Sequence, residues 1–391
     1  MTTSSATPTV TPESLDDLRD AVGDHTGPLL VAGAGTASDW AGVPEPGATV
    51  LSTTSLTGVI SHNPGDMTVA VRAGTPLVAL QEILGEHGQR VAFDAARVGR
   101  GATLGGLFAT ADSGPLALTY GSLRDLVIGA TVVLADGTVA HSGGHVIKNV
   151  AGYDLTKLLH GAQGTLGVVA ELILRLHPTP VATATVSLPA PQADAAGRAR
   201  AVAASPVEAS AVQWLQEGAT GRLLARLEGT RDGVAGRVTR LRETLGAGAE
   251  LLSETDASAA WAAHEAAVDG AADNGAADRA VLRVGVTPSQ LTGLLTGLTH
   301  ATGVTAAPLT GVATLSVPAT AGAVDDVHRR VADLGGTSLL RRRPAGRADL
   351  AALGPAPTSA TLLRAVAASL DPDQRFGRGR LAPWLPTGVT A

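Results

Sequence analysis

Three clusters of small residues, set between short apolar runs in the first 180 residues, constrain this chain most. The first, Gly33-Ala34-Gly35-Thr36, follows the apolar run Pro28-Leu29-Leu30-Val31. The second is Gly101-Ala102-Thr103-Leu104-Gly105-Gly106, and the third runs from Gly161 through Gly164-Thr165-Leu166-Gly167 to Val168-Val169. Glycine is unfavourable inside helices and strands, so each cluster reads as a turn whose bare backbone N–H groups can approach a diphosphate or a planar group. A nicotinamide-type fingerprint does not fit the first cluster. Its third glycine position is Ser38, Pro44 and Pro46 prevent a long helix after it, and no acidic residue stands correctly on a second strand. Any one of these turns fits an ordinary tight turn equally well. Their order, with a hairpin between the second and third, carries the inference.

The remaining elements follow from local signals. Thr11 reads as the N-cap of a first helix with Pro12 in its first turn. Thr68 to Arg72 reads as a strand, and Thr75-Pro76 opens a helix carrying Leu77, Leu80 and Leu84 on one face until Gly88 stops it. Val127 to Leu134, Asp136-Gly137 and Thr138 to His141 form a hairpin pattern; Gly167 to Leu176 is a long strand ended by His177-Pro178.

From residue 181 the texture becomes Ala-rich, and the order strand, helix, strand, strand, helix, strand occurs twice. Two such units predict one antiparallel sheet with helices on one face. The expected class is α+β, with boundaries at 1–180, 181–365 and 366–391. The last segment is expected to return to the first domain.

Composition removes several chemistries. The chain has no cysteine, which excludes disulfides, thiol nucleophiles, thiolate-held zinc and an iron–sulfur cluster of the usual kind. The net charge of −6 and the lack of a long basic tract argue against nucleic acid; Arg341-Arg342-Arg343, the densest cluster, reads as a strand end. No run is long and apolar enough for a membrane span, and Met1 to Val10 lacks the features of a signal peptide, so a cytoplasmic protein is expected. Beyond residue 177 the histidines are His264, His300 and His328, without ligand spacing, so no metal site is expected. A lone histidine on an Ala-rich helix reads as surface or core.

The pattern resembles the FAD-binding domain of the vanillyl-alcohol-oxidase (PCMH) type, nearest to the FAD-binding subunits of bacterial glycolate oxidases. The resemblance is carried by Gly101 to Gly106, Gly121 to Asp125, the run Lys148-Asn149-Val150-Ala151-Gly152-Tyr153-Asp154-Leu155-Thr156-Lys157-Leu158, and Gly164 to Val169. It returns faintly at Asp371 to Arg380, where Gly377-Arg378 replaces the family's Asn-Pro.

The resemblance implies a two-part FAD-binding domain followed by a cap. Gly33, Ala34, Gly35 and Thr36 then hold the FAD pyrophosphate, Ala102, Thr103, Leu104, Gly105 and Gly106 run beside the cofactor, and Gly167, Val168 and Val169 contact its adenosine part. Gly121, Arg124, Asp125, Lys148 and Asn149 complete the implied cofactor set. With no histidine in Gly33 to Ser38 and no cysteine, the FAD is expected to be non-covalent.

Lys148 and Tyr153 are the candidate catalytic residues. Lys148 fits either a solvated charge or a cation beside the flavin N1–C2 end; Tyr153 fits either core filler or a hydrogen bond to substrate or flavin carbonyl. Asp154 also fits a plain helix N-cap, and Arg124 with Asp125 a local ion pair. The implied function is an FAD-binding redox subunit of a glycolate-oxidase-like complex, beside a catalytic flavoprotein and an iron–sulfur subunit, with a small 2-hydroxy acid as substrate. Through such partners it would sit peripherally at the inner membrane face. A self-sufficient FAD-dependent 2-hydroxy-acid oxidase and a scaffold with a vestigial flavin site are the alternatives.

Overall fold

A computed structural model of the chain describes residues 7–146, 153–270 and 278–385. Lys148 and Asn149 lie outside the described residues. Near the N-terminus, Thr9–Val10, Thr49–Ser52 and Leu29–Ala32 form a small parallel sheet with Thr49–Ser52 in the centre. Beside it stands an antiparallel sheet in the order Val59–Asn63, Thr68–Arg72, Val168–Arg175, Val127–Val133, Val139–Gly143. The hairpin closes at Asp136-Gly137, where Gly137 takes φ +83° and Asp136 accepts from the Thr138 N–H at 2.8 Å.

The first helix, Leu15–Asp24, starts later than Thr11 predicts. Ser14 is its N-cap, accepting from the Asp17 N–H at 3.1 Å, so the helix begins where a hydroxyl can reach a free amide. Thr75 likewise does not cap its helix; its hydroxyl accepts from the Gly58 N–H at 2.9 Å and ties two loops together.

Beyond residue 181 the chain builds one antiparallel sheet of eight strands. Its order is Glu250–Leu251, Ala182–Pro189, Thr220–Gly229, Ala211–Glu217, then Thr302–Ala307, Val312–Pro318, Arg279–Gly285, Thr337–Arg342. The halves are the two repeats, each in the same internal order and turned head to head. They join where Trp214 faces Ala306 and Leu215 faces Thr305. Val212, Leu223, Ala225, Leu282, Val284, Leu315 and Leu340 point into the core under helices Gln192–Ala204, Arg231–Leu245, Pro288–Gly297 and Ala321–Asp333. Because side chains alternate across a strand, Gln213, Arg226, Arg283, Thr305, Thr314 and Arg341 fall on the other face. Helices therefore do not keep to one side: Glu254–Val268 covers this second face, with Trp261 packed on Ala211 and Leu224.

The second face meets the first 180 residues across charged contacts. Arg226 pairs with Asp94 at 3.0 Å, Arg90 with Glu228 at 2.7 Å, and Arg341 with Asp112 at 2.7 Å. The C-terminal segment returns to the small parallel sheet. Leu29 donates to the Arg375 carbonyl at 2.7 Å, and Gly377 donates to that of Leu29 at 2.8 Å. Buried Asp371 shapes this turn by accepting from the N–H groups of Arg375 and Phe376. Among the described residues no helix is long and apolar enough to cross a membrane.

Candidate functional site

The three small-residue turns converge on one cavity of about 370 Å³. Gly33, Ala34, Gly35 and Thr36 form one wall, Thr103, Gly105 and Gly106 a second, and Gly164, Gly167 and Val169 a third. Their packing explains the residue types. A Cβ on Gly33 would stand 2.3 Å from Thr103 Oγ1, which itself caps helix Leu104–Ala109 by accepting from the Gly106 N–H. Gly35 and Gly164 both hold φ +72°, a conformation that side chains disfavour. Ala102, Leu104 and Val168 are buried behind this lining.

Three residues not assigned to the cofactor from sequence complete the walls. Arg97, 2% exposed, donates to Asp112 at 2.9 Å, to Thr36 Oγ1 at 2.9 Å and to Thr110 Oγ1 at 2.7 Å. It thereby locks the first turn to the helix of the second. Arg380 reaches in from the returning segment and donates to the Ser38 carbonyl at 3.1 Å; burial lowers its pKa to about 10. Gln163 lines the cavity at φ +55° with a buried Oε1 that has no partner among the described residues. An orphaned buried acceptor suits a guest with N–H or O–H donors, and FAD has both.

A second cavity of about 300 Å³ lies between the first region and the second face of the large sheet. Gly121 and Asp125 line this one, together with Ser113, His264, Arg283 and Arg341. Asp125 is no ion-pair partner of Arg124. Its carboxylate accepts from the Ser122 N–H at 2.9 Å in a capping box, while exposed Arg124 gives its own backbone N–H to Ser122 Oγ. Asp112 stands between the two cavities. Burial alone would raise its pKa, but the guanidinium groups of Arg341, Arg97 and Arg283 outweigh burial and hold it below the usual carboxylate range. Burial lowers His264 to about 4, with Arg226 adding to the shift, so its imidazole is neutral at pH 7.

Tyr153 is 93% exposed and belongs to no core. Asp154 does not cap the following helix, whose N-cap is Leu155; its carboxylate pairs with Lys157 at 3.0 Å instead. His328 is structural, contacting Ser338 Oγ at 2.6 Å and the Ala351 carbonyl at 3.1 Å. No group of three metal-ligating side chains occurs among the described residues. Arg97, Asp112, Arg283 and Arg341 carry no spacing signal. The alternations Ala225-Arg226-Leu227 and Leu282-Arg283-Val284 within strands are the local clues that a charge faces away from the helices.

Residues 6–143 match the family model described as an FAD binding domain. Glycolate oxidase subunit GlcE of Escherichia coli (strain K12) is 35% identical over 169 residues, covering 43% of this chain and 47% of that protein. The mitochondrial D-lactate dehydrogenase [cytochrome] of Arabidopsis thaliana is 34% identical over 207 residues, 52% of this chain and 36% of that one. Glycolate oxidase subunit GlcD of Bacillus subtilis (strain 168) is 34% identical over 157 residues, 40% and 33% of the two chains. The chain thus spans about half or less of the length of these curated relatives. Among solved structures, an alkyldihydroxyacetonephosphate synthase shares the fold at TM-score 0.69 and 15% identity, over 94% of this chain and 76% of that one. The family match, the three converging turns and the cavity they enclose agree: residues 6–143 carry an FAD-binding domain, and FAD is the cofactor.

Proposed function

We propose that this chain is the FAD-binding redox subunit of a glycolate-oxidase-like dehydrogenase complex acting on small 2-hydroxy acids. The observation that carries this reading is the convergence of three small-residue turns on one cavity, joined to a second, arginine-lined cavity through Asp112. The similarity to glycolate oxidase subunits and D-lactate dehydrogenases supplies the substrate class. In this reading residues 1–180 hold the cofactor, 181–365 form the cap and 366–391 return to the first part. FAD, when bound, supplies a two-electron acceptor.

The chain's own residues bind and orient. Backbone amides of Gly33 to Thr36 meet the diphosphate, Arg97 keeps that turn in place through Thr36, and Gln163 offers its free acceptor. Gly105, Gly106 and Gly167 let the backbone run flat beside the cofactor. Among the described residues the cavity lining includes no histidine, and the chain has no cysteine, which supports non-covalent binding. With no cysteine the chain holds no iron–sulfur cluster of the usual kind, so in this reading electrons leave the FAD to a partner such as an iron–sulfur subunit, to a quinone or to oxygen. A self-sufficient oxidase is the second reading, favoured by the arginine-lined cavity within this chain.

The test begins with the visible spectrum of the purified chain, with FAD added if it is colourless. A yellow protein whose colour passes into the supernatant on acid precipitation is the expected result. Anaerobic glycolate and D-lactate should then bleach the flavin far faster in the co-purified complex than in the chain alone. Full-rate bleaching of the isolated chain would overturn the subunit reading in favour of the self-sufficient one. A chain that takes up no FAD would leave only a scaffold.

A further inference from the structure

The loop that follows the first turn is gripped by two distant parts of the chain. Ala37 and Ser38 line the first cavity, and Trp40, Ala41 and Gly42 then run into the interior. Fully buried Ala41 takes φ +57°, a left-handed conformation that a residue with a Cβ keeps only where its surroundings fix it. On one side stands strand Thr337–Arg342 of the large sheet. The Ala41 N–H donates to the Leu340 carbonyl at 2.9 Å, and Arg343, just past the strand, donates to the Ala41 carbonyl at 3.0 Å. On the other side stands the returning segment. The Gly42 N–H donates to the Arg380 carbonyl at 2.8 Å, while the Arg380 guanidinium donates to the Ser38 carbonyl.

Trp40 joins the same parts through its ring. The guanidinium carbons of Arg97 and Arg341 each lie 4.2 Å from the indole centroid. Asp112 accepts from both arginines, one at each carboxylate oxygen. All four side chains are buried, and a cation over an indole gains most where water is excluded. The two arginines serve different parts of the molecule. Arg97 lines the first cavity and bonds Thr36 in the first turn, whereas Arg341 belongs to the large sheet.

We propose that Trp40 is a positioning residue that couples FAD binding in the first cavity to the seating of the large sheet on the first region. Withdrawal of the sheet takes Arg341 from the ring and the Leu340 carbonyl from Ala41, which frees the loop and, through Arg97, the first turn. Conversely, a diphosphate that fixes Gly33 to Thr36 fixes the loop and favours the seated sheet, because coupling between two equilibria is reciprocal. The second cavity, walled by both parts, is then complete only when the cofactor is in place. The proposal rests on the reading above only for FAD in the first cavity, not for substrate or partners.

Hydrogen exchange of the full chain, FAD-free and FAD-loaded, tests this together with FAD titration. FAD should slow exchange at Gly33 to Thr36 and also, about tenfold, in strand Thr337–Arg342, which is not among the described walls of the first cavity. Strand Ala182–Pro189, in the other half of the sheet, should change less than about twofold. Trp40→Leu should weaken FAD about tenfold and abolish the protection of Thr337–Arg342 at saturating FAD, with Gly33 to Thr36 still protected. Trp40→Phe keeps a ring over both cations and should restore most of both effects. Arg341→Met should weaken FAD in the wild-type background and add little to Trp40→Leu.

Protection of the three turns without protection of Thr337–Arg342 would overturn the coupling and leave the cofactor where it is placed. Protection of none of the turns would remove the cofactor from the first cavity, and the coupling with it. Equal protection of Ala182–Pro189 would mean general stabilisation, and Leu and Phe variants that behave alike would reduce Trp40 to packing. The wild-type comparison decides the matter even if Trp40→Leu does not fold.

Discussion

Gly33 shows how one missing side chain joins two distant turns. The space its Cβ would need is taken by Thr103 Oγ1, at 2.3 Å, and that hydroxyl is committed to capping Gly106. Gly33→Ala must therefore either displace the first turn or break the cap, which is worth about 1 kcal/mol. We expect Gly33→Ala to weaken FAD binding about tenfold, equivalent to about 1.4 kcal/mol, and to lower stability by about 1 kcal/mol. Thr103→Ala alone should cost about the same stability through the lost cap. In the double variant the clash and the cap vanish together, so its loss should be smaller than the sum of the two singles. FAD titration and urea unfolding of the four proteins measure this; strictly additive losses would mean that the close approach is not what selects glycine at position 33.

At the scale of elements, Ser122 and Asp125 show a polar pair whose work is local. Their capping box starts the short helix Leu123–Leu126, which places buried Leu123 and Leu126 against the antiparallel sheet. Asp125→Ala should cost about 1 kcal/mol of stability in urea unfolding and leave FAD affinity within about twofold. A tenfold loss of FAD affinity would return Asp125 to the cofactor site. Features of this range, a few residues long, are what the sequence makes legible. Asp136-Gly137 specified its hairpin, the doubled strand–helix order specified the large sheet, and the three glycine clusters specified the walls of the first cavity. Local signals also compete: Thr11, Thr75 and Asp154 all suit a helix start, and the hydroxyl of Ser14, a tie to Gly58 and a pair with Lys157 decide against them. The Arg97–Asp112–Arg341 chain is illegible for a different reason. Asp112 and Arg341 are joined only when the sheet's second face closes over the first 180 residues, and no spacing along the chain records that.

Over the whole molecule, the closure of the sheet on the first region buries titratable groups whose protonation state then controls stability. His264 lies at the junction, 4% exposed, and burial with Arg226 nearby lowers its pKa to about 4. Unfolded, its pKa is about 6.5, so between pH 6.5 and 4 the unfolded chain binds the proton and the folded chain does not. Its contribution is therefore present above pH 6.5 and is lost as pH falls toward 4, by on the order of 3 kcal/mol at the acid end. His160 and His177, each also lowered to about 4 with burial as the first cause, act in the same direction. Asp94 and Glu265 act oppositely: burial raises both, so the folded chain takes up their protons first and gains stability as pH falls through their range. As pH falls below 6.5 the loss from the imidazoles is therefore opposed in part by the protons that Asp94 and Glu265 take up. Denaturation midpoints measured from pH 7.5 to 4.5 should fall steadily in the wild-type chain, and His264→Gln should flatten that slope while leaving those of the other two histidines. An unchanged slope in His264→Gln would mean that the imidazole is already protonated in the folded protein, and the junction more open to water than its burial implies.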